Sequence, residues 1–411
     1  MFLLPGAASS SADSGNDVPV ARIPLEVVVD AQGTAYVGHY ACCGGVSVLP
    51  AGASAPSRVI AVGYQVSGLA VAPDGTVYAE GWNAVANHEQ IGVVLKGASE
   101  VARAIPLPAG AHLIAAGPDG TVFVPNYAPG TVSVIPAGAS APVREVAVGK
   151  GPREIAVGKD GTAYVTNQEG GTVSVISPGA SASRTIRVSA NPDRTDSPHG
   201  IAVGPDGSVY VTDITANEIA VIKPAGTTVA YRIPVANSPK EVAVGPDGTV
   251  YALSESQGLS VIRPGAKTAT LLPTDHNPGH VAAEPDGSAI VTNTEDSSVT
   301  VFPTALTHPG AKSAAAPAVG APVPNAGPAS DSSRGAPDGN ASAALLPGVF
   351  GGAAAAMLLG AAVVIATGRR RRRRSAAGFP DPLPEHPQGS AAAQPAPMPE
   401  APRPRPGDGR G

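Results

Sequence analysis

Hydrophobic positions along the first three hundred residues fall into short alternating runs separated by turn residues, and the runs recur. The segments EVVVDAQGTAYV, GLAVAPDGTVYA, LIAAGPDGTVFV, EIAVGKDGTAYV, GIAVGPDGSVYV, EVAVGPDGTVYA and HVAAEPDGSAIV align without gaps. Each joins two β-prone runs through a Pro-Asp-Gly type turn, as in 155–157 and 162–166 of the fourth copy. Glycine there supplies the positive φ that closes a hairpin, and aspartate favours the turn by bonding its own backbone. A third alternating run follows in every copy (VSVL, IGVV, VSVI, VSVI, IAVI, LSVI, VTVF), and a PGA-like turn leads to a fourth, such as 144–148 or 231–235. The turn glycines Gly33, Gly75, Gly120, Gly161, Gly207, Gly248 and Gly287 lie 42, 45, 41, 46, 41 and 39 residues apart. Four strands per unit at that period predict an all-β, seven-bladed β-propeller.

The seventh copy stops after its third run, 299–302. Residues 20–25 (VARIPL) read like 230–235 (AYRIPV), so an N-terminal strand is expected to complete the last blade. Such closure leaves no open sheet edge. The propeller is expected over 18–303. Residues 1–17 have few apolar positions and no basic start, and read as the remnant of a signal peptide.

Composition extends the picture beyond the propeller. Gly (50) and Pro (44) are abundant, aromatics make up 4% and charged residues 14%, which excludes a coiled coil and an ordinary helical enzyme. The net charge of −5 is uneven: residues 1–340 carry −10, residues 369–411 carry +5, and 341–368 carry none. An acidic body argues against nucleic-acid binding. Residues 304–343 form a Pro/Ala/Gly-rich stretch, expected to be a disordered stalk. Residues 344–368 are apolar and long enough for a transmembrane helix. Arg369, Arg370, Arg371, Arg372, Arg373 and Arg374 follow as a membrane stop, which puts the Pro-rich tail 369–411 in the cytoplasm and the propeller outside. The same arginines suit anionic lipid. Gly348, Gly352, Ala356 and Gly360 form a small-residue stripe that admits a weak homodimer. The two cysteines, Cys42 and Cys43, are adjacent and build neither a disulfide framework nor a cysteine zinc site.

The chain has no phosphate loop, nucleophile elbow or HExxH, and its eight histidines show no metal-ligand spacing. The repeat register carries the search further. In a propeller the loop entering each innermost strand lies beside the central channel. Aligned there are Leu25, Ser67, His112, Arg153, His199, Lys240 and Gly279, followed by Glu26, Gly68, Leu113, Glu154, Gly200, Glu241 and His280. Variation on a repeated scaffold is where a binding site is written. Arg153, His199 and Lys240 make a basic arc suited to an anionic group, and His112 and His280 complete the candidate ligand-binding set. Glu154 and Glu241 beside them leave internal ion pairing as the alternative.

Tyr164-Val165-Thr166-Asn167 spells YVTN, with Tyr210-Val211-Thr212-Asp213 and Val291-Thr292-Asn293 as variants. On these residues the stretch 18–303 resembles the YVTN/NHL-type repeat propellers of surface and sensor proteins. That resemblance implies blades and names no ligand. Residues 198–207 (PHGIAVGPDG) are similar to repeats of streptogramin (virginiamycin B-type) lyases, seven-bladed propellers with a catalytic histidine and magnesium. The second resemblance implies His199 or His280 as acid/base and Glu284 as a metal carboxylate. The YVTN-like strands depart from the tryptophan-bearing strands of that family. The function expected is non-catalytic: extracytoplasmic binding, adhesion or sensing, from a propeller anchored in the cell membrane by a single pass. Its partner would be an envelope protein or cell-wall component, and no cofactor or metal is expected. The alternative is a metal-dependent lyase.

Overall fold

Each repeat folds into a four-stranded antiparallel sheet, because its alternating runs can bury one set of side chains against each neighbour. The structure, a computed structural model, describes residues 15–41, 44–191, 197–275 and 277–308. Blade 4 illustrates the plan. Pro152–Val157 is innermost, followed outward by Ala163–Asn167, Thr172–Ile176 and Arg184–Arg187. Seven such sheets succeed one another: blades 1 to 6 cover 24–61, 68–106, 115–147, 152–187, 201–234 and 239–272, and blade 7 covers 278–302 with an added N-terminal strand. The all-β, seven-bladed architecture expected from the repeats is the one observed.

The hydrophobic core is divided rather than central. Seven buried clusters occur, each built from two neighbouring blades; one joins Phe123 and Val134 of blade 3 to Ile155 and Val165 of blade 4. Every blade is therefore stabilised through both faces, and the ring holds only if the last blade meets the first. Val18, Val299 and Ile290 meet Val27, Val37 and Leu49 in that closing cluster.

Closure uses the N-terminal strand, in a register different from the expected one. Asn16–Pro19 pairs with Ser298–Phe302, Val18 lying opposite Val299, whereas Pro24–Val29 is the innermost strand of blade 1. The correct analogue of Tyr231–Pro234 is thus Asn16–Pro19: Pro19 precedes Pro24 by the same five residues that separate Pro234 from Pro239. Ile23-Pro24 imitates Ile233-Pro234 in sequence, but Ile23 turns the chain at φ +55° instead of extending it.

The two ends of the inner strands face opposite ways. Their starts, with the hairpins joining second and third strands, surround one mouth of the channel. The Pro-Asp-Gly turns surround the other. At the turn end the chain leaves blade 7 and makes one helical turn, Thr304–Thr307. Thr307 Oγ1 donates to Gly287 O (2.9 Å), and His308 Nε2 lies 2.9 Å from Asp247 Oδ2 and 3.0 Å from Thr249 Oγ1. The first five residues of the expected stalk are therefore docked on blades 6 and 7. Among the described residues no helix is long and apolar enough to cross a membrane. The rest of the stalk, the apolar stretch 344–368, Arg369 to Arg374, residues 1–14 and Cys42/Cys43 lie outside the described residues.

Candidate functional site

The channel is lined by inner strands of all seven blades and encloses a cavity of about 340 Å³. Its walls are mostly aliphatic. The exceptions gather at the mouth, and local backbone geometry puts them there. The inner strands of blades 1, 4, 6 and 7 begin Pro24-Leu25-Glu26, Pro152-Arg153-Glu154, Pro239-Lys240-Glu241 and Pro278-Gly279-His280, each with a break in pairing register just after the proline. Such a bulge re-aims side chains. The third residue of each trio turns into the channel, while Gly68, Leu113 and Gly200 occupy that position in blades 2, 3 and 5. Glu80, on the second strand of blade 2, stands beside Gly68, where a Cβ would meet its Oε2 at 3.1 Å.

The threonine of the YVTN repeat pins this ring. Thr166, Thr212 and Thr292 accept the N–H of Glu154 (3.1 Å), Gly200 (2.7 Å) and His280 (2.8 Å) on their side-chain oxygens. Thr212 and Thr292 also donate across to the next blade, to Lys240 O (3.0 Å) and Leu25 O (3.1 Å). The asparagine does frame work one step outward. Asn167 Nδ2 donates to Thr172 and Ser174, and Asn293 Nδ2 to Ser298 and Thr300. The motif is thus a blade clamp whose threonine also positions the channel residues.

Glu154, Glu241 and His280 each offer a ligand atom, all within 4.8 Å of one another. His280 Nε2 stands 3.2 Å from Glu26 Oε1 and 3.6 Å from Glu241 Oε2, and His199 Nδ1 stands 3.4 Å from Glu241 Oε1. Glu26, Glu80, Glu154, His199 and Glu241 are all buried. Burial first, then the Glu241 charge, pushes Glu26 and Glu154 well above the ordinary carboxylate range. Burial likewise raises Glu80 to about 8. His199 falls well below its ordinary value through burial and the Arg153 and Lys240 charges, and burial lowers His280 against the pull of Glu241. Burial therefore favours the neutral form of Glu26, Glu80 and Glu154 and of both histidines.

A divalent cation fits this set. Glu154 Oε2 and Glu241 Oε2 are buried acceptor atoms with no hydrogen-bond partner, and His280 turns Nε2 towards Glu26 and Glu241. Carboxylate oxygens with one imidazole are an ordinary donor set for such an ion. No spacing rule could find it, because the three ligands come from three blades, at positions 154, 241 and 280. The signal in the sequence was the Pro-x-Glu/His trio at the start of inner strands.

The other predicted residues form a rim just outside the ring. Lys240 Nζ is ion-paired with Glu255, on its own blade, rather than with neighbouring Glu241. Arg153 is half-buried and acts electrostatically on both His112 and His199. His112, lowered to about 4 chiefly by burial, stands edge-on to Tyr127 at 5.4 Å. Glu284, the metal carboxylate implied by the lyase resemblance, sits elsewhere. It lies at the turn end of its strand, roughly 13 Å from His280 at ~3.3 Å per residue, and accepts from the Ser288 hydroxyl.

Residues 59–263 match the virginiamycin B lyase family. The matched stretch contains Glu80, Glu154, His199 and Glu241, while Glu26 and His280 lie outside it. Among solved structures, Kuenenia stuttgartiensis hydrazine synthase is similar at 21% identity and TM-score 0.60, over 73% of this chain and 99% of that one. A streptogramin B lyase is similar at 17% identity and TM-score 0.58, over 70% and 96%. A catalytically inactive histidine-to-alanine variant of virginiamycin B lyase from Staphylococcus aureus, crystallised with quinupristin, is similar at 17% identity and TM-score 0.56, over 71% and 96%. At these identities the likeness to the solved structures is one of fold. No curated protein sequence matches the chain.

Proposed function

We propose that the chain is a non-catalytic, extracytoplasmic binding head, held at the cell membrane through 344–368 and Arg369 to Arg374, whose channel mouth takes a divalent cation. The observation that carries this reading is the convergence of Glu154, Glu241 and His280, with an orphaned acceptor oxygen on each carboxylate. These three would hold the ion, with Glu26 and His199 placed around them. The bound ion would neutralise the carboxylates and offer open positions to an oxygen-bearing ligand. Thr166 and Thr292 hold the backbone of Glu154 and His280 in place meanwhile. The partner proposed is an envelope protein or cell-wall component that meets the mouth.

Titration of the full-length chain with Mn²⁺, followed by the paramagnetic signal of the free ion, tests the reading. One saturable site is expected, lost on Glu241→Ala. Absence of saturable binding, or unchanged binding in the variant, overturns it.

The family match over 59–263 favours metal-dependent lyase activity as a second reading. His199 and His280 are neutral and beside carboxylates, as bases must be, but Glu284 is out of reach. Incubation with quinupristin and Mg²⁺ separates the two. No turnover is expected; metal-dependent turnover lost in His199→Ala or His280→Ala would replace the binding reading.

A further inference from the structure

The rim and the ring carry opposite charge on consecutive residues. Arg153 and Glu154 come from one bulged strand start, yet Glu154 enters the channel and accepts the N–H of Ile201 on Oε1 at 3.3 Å, while Arg153 stays on the rim. Arg153 Nε is buried and meets no acceptor. Two other cations of the head do meet carboxylates, Lys240 with Glu255 and Arg232 with Glu218 and Asp213. Among the described residues no ion pair includes Arg153. A half-buried guanidinium without a counter-charge is costly, and its flat fork suits the paired oxygens of a carboxylate or phosphate. His112 and His199, flanking it, supply no negative charge.

The ring has the complementary want. Its orphaned acceptors accommodate a cation, and hard divalent ions take about six oxygen or nitrogen ligands, more than Glu154, Glu241 and His280 provide. Oxygens from outside would complete the shell. Glu26, Glu154 and His280 stand at the entrance to the channel cavity of about 340 Å³, whose volume lies at the small-ligand end of the range for binding sites.

We propose that rim and ring are one composite site for a small oxyanion-bearing ligand, whose carboxylate or phosphate group bridges Arg153 and the cation held by Glu154, Glu241 and His280. This inference rests on the cation reading above and adds the chemistry of the ligand. Cation and anion then bind cooperatively, because each supplies what the other lacks, and the coupling is reciprocal.

The test measures Mn²⁺ affinity of the full-length chain alone, with inorganic phosphate, and with succinate, corrected for Mn²⁺ complexed in solution. At least one anion is expected to tighten Mn²⁺ binding by about fivefold or more, the lower range of allosteric coupling. Which anion does so distinguishes a phosphate from a carboxylate ligand. Arg153→Gln is expected to lose the tightening, the ratio of Mn²⁺ affinities with and without anion falling to about one, whatever its affinity for Mn²⁺ alone. Arg153→Lys, which keeps charge without the fork, is expected to retain part of it. Mn²⁺ binding that neither anion tightens, or tightening that survives in Arg153→Gln, overturns this inference alone. No Mn²⁺ binding overturns it together with the cation reading.

Discussion

The two ends of the inner strands obey different rules. At the turn end the blades repeat one another: Asp74, Asp119, Asp160, Asp206 and Asp247 each accept the N–H and the hydroxyl of the residue two positions on. At the mouth end the same strands present Glu, Gly, Leu or His, varying from blade to blade. The turn aspartates are satisfied within their own turns, whereas the mouth leaves Arg153 Nε, Glu154 Oε2 and Glu241 Oε2 unpaired. A buried polar group without a partner costs stability, so one end is built for the fold and the other tolerates a cost that a ligand would relieve.

The sharpest break of this contrast is the double variant Glu154→Ala/Glu241→Ala. Mn²⁺ affinity should fall by more than about 100-fold, exceeding what outer-shell changes do at metal sites. The melting temperature without metal should hold or rise, since mutually repelling carboxylates are gone. A large loss of stability would mean that the ring supports the fold. Next comes Gly161→Ala at the turn end, where φ is +80°. Denaturant unfolding should show a loss of about 1–2 kcal/mol, the cost of a side chain in the left-handed region, with Mn²⁺ affinity unchanged.

A smaller effect reads the mouth through pH. Glu80 is raised to about 8, and Glu26 and Glu154 are also raised. The folded state thus holds protons that the unfolded chain releases near pH 4.5, and stability is lost as pH rises towards 8. His199 and His280 act in the opposite sense, losing stability as pH falls below their ordinary 6.5. Above pH 6.5 the carboxylates act alone. Metal-free protein should melt roughly 2–5 °C lower at pH 8 than at pH 6.5, taking a few degrees per kcal/mol for a domain of this size. Glu80→Gln should flatten that slope; an unchanged slope would take Glu80 out of the explanation. The smallest effect comes from Asn167→Ala. It removes bonds to Thr172 and Ser174 and should cost about 1 kcal/mol without altering Mn²⁺ affinity. If affinity moved with it, frame and chemistry would not be separable within the mouth.

Most of the frame was legible because it is repeated. A turn that needs Asp and a left-handed Gly must carry those residues in each copy, and alignment reveals them. The closing strand was misread because it has no repeat of its own. Ile23-Pro24 matched Ile233-Pro234 in letters, while burial of Val18 against Val299 and Val27 determines the register. The candidate site was half legible. Alignment placed His199, His280, Glu154 and Glu241 at one mouth, but could not tell which pairs meet. Lys240 reaches Glu255 instead of Glu241, and His280 reaches both Glu26 and Glu241. Those outcomes depend on side-chain direction after a bulge, which spacing does not encode. Glu284 shows the reverse error, a resemblance in letters without proximity in space.

The helical turn at 304–307 has a mechanical meaning. Tension on the chain beyond residue 308 reaches the propeller through Thr307 and His308, whose anchors, Gly287 and Asp247, belong to different blades. The force is split between two sheets before it can peel the strand Ser298–Phe302, which is itself gripped on both sides by Ala289–Asn293 and Asn16–Pro19. The load enters behind, at the turn end, and Glu154, Glu241 and His280 sit in front, beyond the length of the inner strands. Strain applied from the C-terminal side would therefore be borne at the turn end without distorting the channel mouth.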